Sequence, residues 1–176
     1  MQVVAVEFNR EAVRDEVIMA MLPGLLPTFY NYARYLLDVE DARDAVASGL
    51  EHLWRNRAKF RESPTASLER WATRVVINKI RDEARRHRRR PTQVSLSDLD
   101  VAVGDATDRV AQLAQVQDAI HRLSQRDADL VALRFGADLS NGDIADLLGS
   151  TPGAVAVAVH RAIQRLRQHM DEELAR

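Results

Sequence analysis

The stretch from Ser67 to Arg90, SLERWATRVVINKIRDEARRHRRR, constrains the chain more than any other. Wound as an α-helix, it aligns Leu68, Ala72, Val76, Ile80 and Ala84 four apart with Trp71 and Val75 beside them, an apolar stripe that must face a core. The opposite side carries Arg70, Arg74, Asn78, Arg81 and Arg85, spaced so that they stack on one face. The helix then runs into Arg86, His87, Arg88, Arg89 and Arg90. Planar guanidiniums match phosphate oxygens and base edges, and one Asn amide among them offers a base both a donor and an acceptor. Charged helix faces are most often merely solvated; the basic tail turns this one toward a nucleic acid.

The rest of the chain repeats the helical period and no other. A first helix is expected from Arg10 to Met21, broken by Pro23, Gly24 and Pro27, with helical spacing resuming at Phe29, Ala33, Leu36 and Leu37. From Glu40 to Asn56 the stripe Ala42, Ala45, Val46, Gly49, Leu50, Leu53 and Trp54 predicts a second helix with Trp54 in the core. That leaves Arg43, Asp44, Ala47, Ser48, Glu51 and His52 outward. A loop around Ser63-Pro64-Thr65 leads to Ser67 as a helix cap. Residues 91–108 open on Pro91, hold four aspartates and no Lys or Arg, and show no sustained period, which reads as a linker. Helical spacing returns with Val110, Leu113, Ala114, Gln117, Ile120 and Leu123, then in a short helix Asp127 to Phe135 ended by Gly136.

Asn141 to Leu148, Gly149-Ser150-Thr151 and Pro152 to about Met170 read as helix, tight turn and longer helix. Gly149 suits a left-handed position, Thr151 a cap and Pro152 the first helical turn. Ile144, Leu147 and Leu148 would pack on Val155, Val159, Ile163 and Leu166, which makes the unit a helix-turn-helix. The expected fold is all-α: two small helical domains, 1–90 and 109–176, joined by an extended acidic linker at 91–108, the second domain containing the helix-turn-helix.

Charge divides the same way. Residues 1–90 carry 17 Lys and Arg against 13 Asp and Glu, residues 91–176 carry 8 against 13, so a polyanion would be met mainly by the first half. The absence of cysteine excludes a disulfide framework and a thiolate metal site. No phosphate-binding Gly-rich loop or H-E-x-x-H pattern is present, and histidines 52, 87, 121, 160 and 169 are scattered, so neither enzyme, metal site nor cofactor is expected. No run approaches a membrane span and the N-terminal stretch lacks a signal-peptide layout, so a cytoplasmic, membrane-free protein is expected.

Two motif sets in this order resemble the extracytoplasmic-function (ECF) class of bacterial RNA polymerase sigma factors. The family's pattern D-A-x-D-L-V-Q-E-x-F-x-x-x-W is met from Asp41 to Trp54. Its pattern W-x-x-R-I-A-x-N-x-x-x-D-x-x-R-R is met by Trp71, Arg74, Val75, Val76, Asn78, Asp82, Arg85 and Arg86, and its C-terminal pattern runs from Leu133 through Arg167 with Asp143 in place of Glu. The resemblance implies a first domain that docks on the clamp helices of the polymerase β′ subunit through Asp41, Asp44 and Glu51. That domain would melt and hold the minus-ten promoter element with Arg70, Arg74, Asn78, Arg81, Arg85 and Arg86, backed by Arg88, Arg89 and Arg90. The second domain would bind the β flap and meet the minus-thirty-five element with His160, Arg161, Gln164 and Arg165. Core polymerase, promoter DNA and an anti-sigma protein are the implied partners, and the linker, with Asp98, Asp100, Asp105 and Asp108, would lie near the active-site cleft and RNA exit path.

Two departures qualify the match. The family's Gln-Glu pair is Ala47-Ser48, and the outward start of the recognition helix holds Ala154, Ala156, Val157 and Ala158, none able to donate to a base or pair with a phosphate. Reading of an upstream element should therefore be poor. A sigma-like decoy that only engages an anti-sigma protein, or a dimeric helix-turn-helix regulator acting without polymerase, are the alternatives.

Overall fold

The computed structural model describes residues 2–60, 67–89 and 116–174. Among them the chain is all-α, with helices α1 (Gln2–Leu36), α2 (Val39–Asn56), α3 (Leu68–Arg89), α4 (residues 116–122), α5 (Gln125–Val131), α6 (Asn141–Leu148) and α7 (Pro152–Leu174), and no strand. The expected linker 91–108, the loop Ser63-Pro64-Thr65, and Arg90, Val110, Leu113 and Ala114 lie outside the described residues.

Helix α1 corrects the expected break, for it runs on through Pro23 and Pro27. Each interior proline removes one helical hydrogen bond and costs about 3 kcal/mol. Both prolines and Gly24 lie on the exposed side, while Ile18, Phe29, Tyr32 and Ala33 are fully buried on the other. Burying the large side chains contributes about 1.5–3 kcal/mol each, so a continuous apolar face outweighs the local defects.

Asp38 caps α2 by accepting from the Asp41 amide at 2.8 Å, and Ser67 caps α3 by accepting from the Arg70 amide at 3.1 Å. Ala42, Ala45, Val46 and Leu53 of α2 pack against Ala72, Val76, Ile80 and Ala84 of α3, joined by Ile77, as the stripes require. Trp54 is the exception: it is 39% exposed rather than core, and the Arg57 guanidinium lies 4.4 Å from its ring centroid. Arg57 also donates to Asp15 at 2.8 Å and to the Trp54 carbonyl at 2.9 Å, so the ring serves as an outer wall for a cation that ties α1 to α2.

Ser124 caps α5, accepting from the Asp127 amide at 3.2 Å. The helix then widens into a π-turn at Ala132–Gly136, where the Ala137 amide reaches back to the Ala132 carbonyl at 2.9 Å. The helix-turn-helix forms as expected: Ser140 caps α6, Gly149 takes φ 64° at its C-terminus, and Thr151 Oγ1 accepts from the Ala154 amide at 3.3 Å. Ile144, Val155 and Val159 are buried between α6 and α7, with Leu147, Ile163 and Leu166 at the margin; Leu148 is 37% exposed.

The two halves share one buried core rather than standing apart. The π-turn packs on α1 so closely that a Cβ at Gly136 would lie 3.0 Å from Tyr32 Cα and 3.1 Å from the Asn31 carbonyl oxygen. Gln117 of α4 donates to the Arg34 carbonyl at the end of α1 at 2.9 Å.

Candidate nucleic-acid interface

Helix α3 orders its own basic face by local pairs. Lys79 and Arg86 both donate to Glu83, at 2.7 and 2.9 Å, which holds that carboxyl below its usual range, with the Lys79 hydrogen bond the largest cause. Arg81 donates to the Asn78 side-chain oxygen. Arg86 turns to Glu83, and Arg85 leaves its own helix altogether.

Arg85 reaches Asp129 on α5 at 3.6 Å, with the carboxylate buried and the guanidinium 44% exposed. Burial pushes the Asp129 carboxyl up to about 6, against the opposing pull of Arg81, Arg85 and Arg88. Desolvation thus outweighs three nearby cations. Arg74 donates to the main-chain carbonyl of Asp146 on α6, and Arg70 lies 3.6 Å from that residue's carboxylate. The face expected to be open is therefore covered in part: Arg70, Arg74 and Arg85 remain exposed at their edges, while Asn78 and Arg81 are half-buried.

Of the basic tail, Arg88 is a correction. Its guanidinium donates to the Ile120 and Leu123 carbonyls at 3.0 and 3.2 Å, satisfying the end of α4, and burial lowers its pKa. It is a structural clip rather than a free cation. Arg89 is exposed and lines a cleft of about 670 Å³ between α3 and the helix-turn-helix, together with Arg81, Arg85, Leu148, Ala154 and Ala158. Arg86 is exposed.

On α2, Asp44 and Glu51 are exposed, with Glu51 paired to Arg55 along the helix. Asp41 is half-buried and accepts from His87 Nδ1 at 2.9 Å, a link between the expected docking surface and the basic tail that spacing gave no sign of. Burial raises its pKa, with Asp38 adding to the effect and His87 opposing it. On α7, His160, Arg161, Gln164 and Arg165 are all exposed, but Arg165 is engaged by Asp127 at 2.7 Å. Ala154, Ala156 and Val157 face solvent, Val157 at 52%, whereas Ala158 is turned toward the core and packs against it.

Sequence reasoning found α3's arginines but missed Asp129 and Asp146. Both lie on short helices whose acidic residues look like ordinary solvated charge. The one signal was position: Asp127 and Asp129 fall in an otherwise apolar run, and both are buried.

Among the described residues no three side chains are grouped to ligate a metal, and no helix is long and apolar enough to cross a membrane. The arrangement offers hydrogen-bond donors and positive charge to an anion.

Residues 24–90 match the family Sigma-70 region 2 and residues 113–166 match Sigma-70, region 4. The chain is 27% identical to the RNA polymerase sigma-E factor of Streptomyces antibioticus over 158 residues, 90% of this chain and 81% of that protein. It is 32% identical to the ECF RNA polymerase sigma factor SigM of Mycobacterium tuberculosis over 127 residues, 72% of this chain and 63% of that one. The fold is similar to that of the sigma factor RpoE of Bartonella quintana, solved in complex with the anti-sigma factor NepR, with TM-score 0.63 and 22% identity over 89% of this chain and 97% of that one.

Proposed function

Since the chain belongs to the sigma-70 family of RNA polymerase sigma factors, in the ECF class, and directs promoter recognition by that enzyme, we propose how its residues divide the work. The observation that carries the proposal is the α3 ladder of Arg70, Arg74, Asn78, Arg81 and Arg85, which lies within the region 2 match and sets hydrogen-bond donors along one side of a single helix. These residues, with Arg86 and Arg89, hold the displaced strand of the minus-ten element, Asn78 supplying base discrimination and the arginines neutralising phosphates. Residues 1–90 form the docking and melting domain, with Asp44 and Glu51 on the open side of α2 meeting the β′ clamp helices and Asp41 bracing that surface through His87.

Residues 109–176 form the upstream domain, where α7 positions the protein on DNA by Arg161 and, once released from Asp127, by Arg165. Residues 91–108 join the two. Work of this kind is done in the cytoplasm and supplies binding energy rather than a catalytic group, so the protein is not an enzyme in its own right. An anti-sigma protein is the further partner we propose, by extension from the Bartonella complex.

The experiment is reconstitution with core polymerase on a library of promoter fragments. A defined transcription start, lost on Arg74→Ala, supports the assignment. The second reading, a decoy for an anti-sigma protein, is favoured by the apolar, exposed start of α7. It would stand if the chain bound such a partner and never yielded a start.

A further inference from the structure

We infer that the cleft between α3 and the helix-turn-helix is a small-molecule site, and that the class of ligand it fits is a nucleoside triphosphate or tetraphosphate. Its volume of about 670 Å³ falls within the roughly 300–1,000 Å³ of small-ligand sites.

The lining is of two kinds. Arg81, Arg85 and Arg89 stand four apart along α3, about 6 Å from one to the next, and Arg126 of α5 joins them. Against these four guanidiniums the lining holds one carboxylate, the buried Asp129, whose ion pair with Arg85 is 3.6 Å long and leaves that guanidinium 44% exposed. An excess of three positive charges remains. Arg89 and Arg126 are exposed and have no ion-pair partner among the described residues, and Arg81 Nε is out of solvent with no hydrogen-bond partner. A buried donor of that kind is costly to leave unmet, and an anion lodged among these arginines is the acceptor it lacks.

The rest of the lining is apolar: Leu148, Ala154, Val155 and Ala158 of the helix-turn-helix, with Leu130 of α5. Inorganic phosphate would meet the cations and leave this surface wet. A nucleobase covers it, gaining by leaving water against Leu148 and Ala154, and guanidinium planes also stack on such rings. A fatty-acyl anion has the apolar end but brings one charge where three are asked for. A nucleic-acid strand has both chemistries, yet it carries one charge per nucleotide. Three or more charges beside a single base describe a nucleoside polyphosphate.

Arg81, Arg85 and Arg89 also belong to the face assigned to the minus-ten element. A bound nucleotide would compete with the displaced strand for them, a consequence that rests on that assignment while the site itself does not.

The test is equilibrium dialysis of radiolabelled ATP against the full chain without divalent cations, with unlabelled competitors at constant ionic strength. GTP should displace the label, adenosine should not, and inorganic tripolyphosphate should need about tenfold more, the share of the apolar surface. Arg126→Ala should weaken ATP binding about tenfold. Ala154→Glu should do the same by setting a carboxylate in the cleft, and an acidic residue in the first turn of α7 suits the helix, so this variant stays folded. Arg74 lies outside the cleft, so Arg74→Ala should bind ATP as the parent does.

No retained label, displacement by tripolyphosphate as readily as by GTP, or full affinity in both Arg126→Ala and Ala154→Glu would overturn the inference. Arg74→Ala separates it from the DNA assignment. A transcription start that survives that substitution, with ATP still bound, would remove the minus-ten face and leave the nucleotide site standing.

Discussion

Asp129 and Arg85 belong to opposite halves of the chain, yet they meet at 3.6 Å with the carboxylate almost wholly out of solvent. The meeting is a compromise rather than a lock. Burial raises the carboxyl to about 6 even with Arg81 and Arg88 also near, so the ion is held at a charge state that its surroundings only partly favour.

The sign of the pH effect follows. An acid whose folded-state pKa lies above its ordinary 3.8 binds a proton in the folded chain that the unfolded chain releases between those values. Its contribution is therefore greatest below about pH 4 and is lost as pH rises through about 6, by up to about 3 kcal/mol at roughly 1.4 per unit. Urea denaturation of the parent and of Asp129→Asn across that range should show a flatter profile for the variant. At neutral pH the variant should be at least as stable. Parallel profiles would mean that the carboxylate is hydrated.

Asn78→Ala should alter which base is preferred at one minus-ten position while leaving overall affinity nearly intact. It also frees Arg81 from its side-chain partner. Arg74→Ala should weaken binding to every sequence alike and lower the salt slope by about one. Both are read by titrating promoter fragments with the polymerase-bound protein at several salt concentrations. Uniform loss for Asn78→Ala would leave that residue a brace for Arg81.

Gly149 has φ 64° and open space around its Cβ, so Gly149→Ala meets no neighbour but strains the backbone, which must hold a Cβ residue in the left-handed region. A cost of about 1–2 kcal/mol, seen as a lower thermal midpoint, is expected. An unchanged midpoint would show that the turn relaxes out of the left-handed region.

What was legible in the sequence was whatever a period or a cap encodes. The α3 stripe, the Ser67 cap and the Gly149 turn are local, and each is where spacing put it. Pro23 and Pro27 misled because their local effect is real but smaller than the burial of Phe29 and Tyr32 beyond them. Trp54 misled because its stripe position is correct while its edge of the stripe is covered by a cation rather than by core. The covering of the arginine face could not be read at all, since Arg85 and Asp129, or Arg74 and Asp146, are joined only by tertiary packing.

The recognition helix α7 is the last case, and there the structure changes which substitution is informative. A bidentate base contact contributes about 1–3 kcal/mol, and Ala154, Ala156 and Val157 are exposed but can make none. Scrambling an upstream hexamer should therefore reduce transcription less than scrambling the minus-ten element. Ala158 is not a free position, because it packs against the core, so an arginine there would disturb the helix-turn-helix rather than test it. Ala156→Lys with Val157→Arg keeps the packing and should raise affinity for all upstream DNA with a steeper salt slope. Arg161 is exposed while Arg165 is engaged by Asp127 at 2.7 Å, so Arg161→Ala should lower that slope more than Arg165→Ala. Filter binding of the holoenzyme to fragments with and without the upstream hexamer reads both effects. A strict hexamer requirement that disappears when Ala156 or Val157 is enlarged would instead place close apolar contact with thymine methyl groups at the centre of upstream recognition.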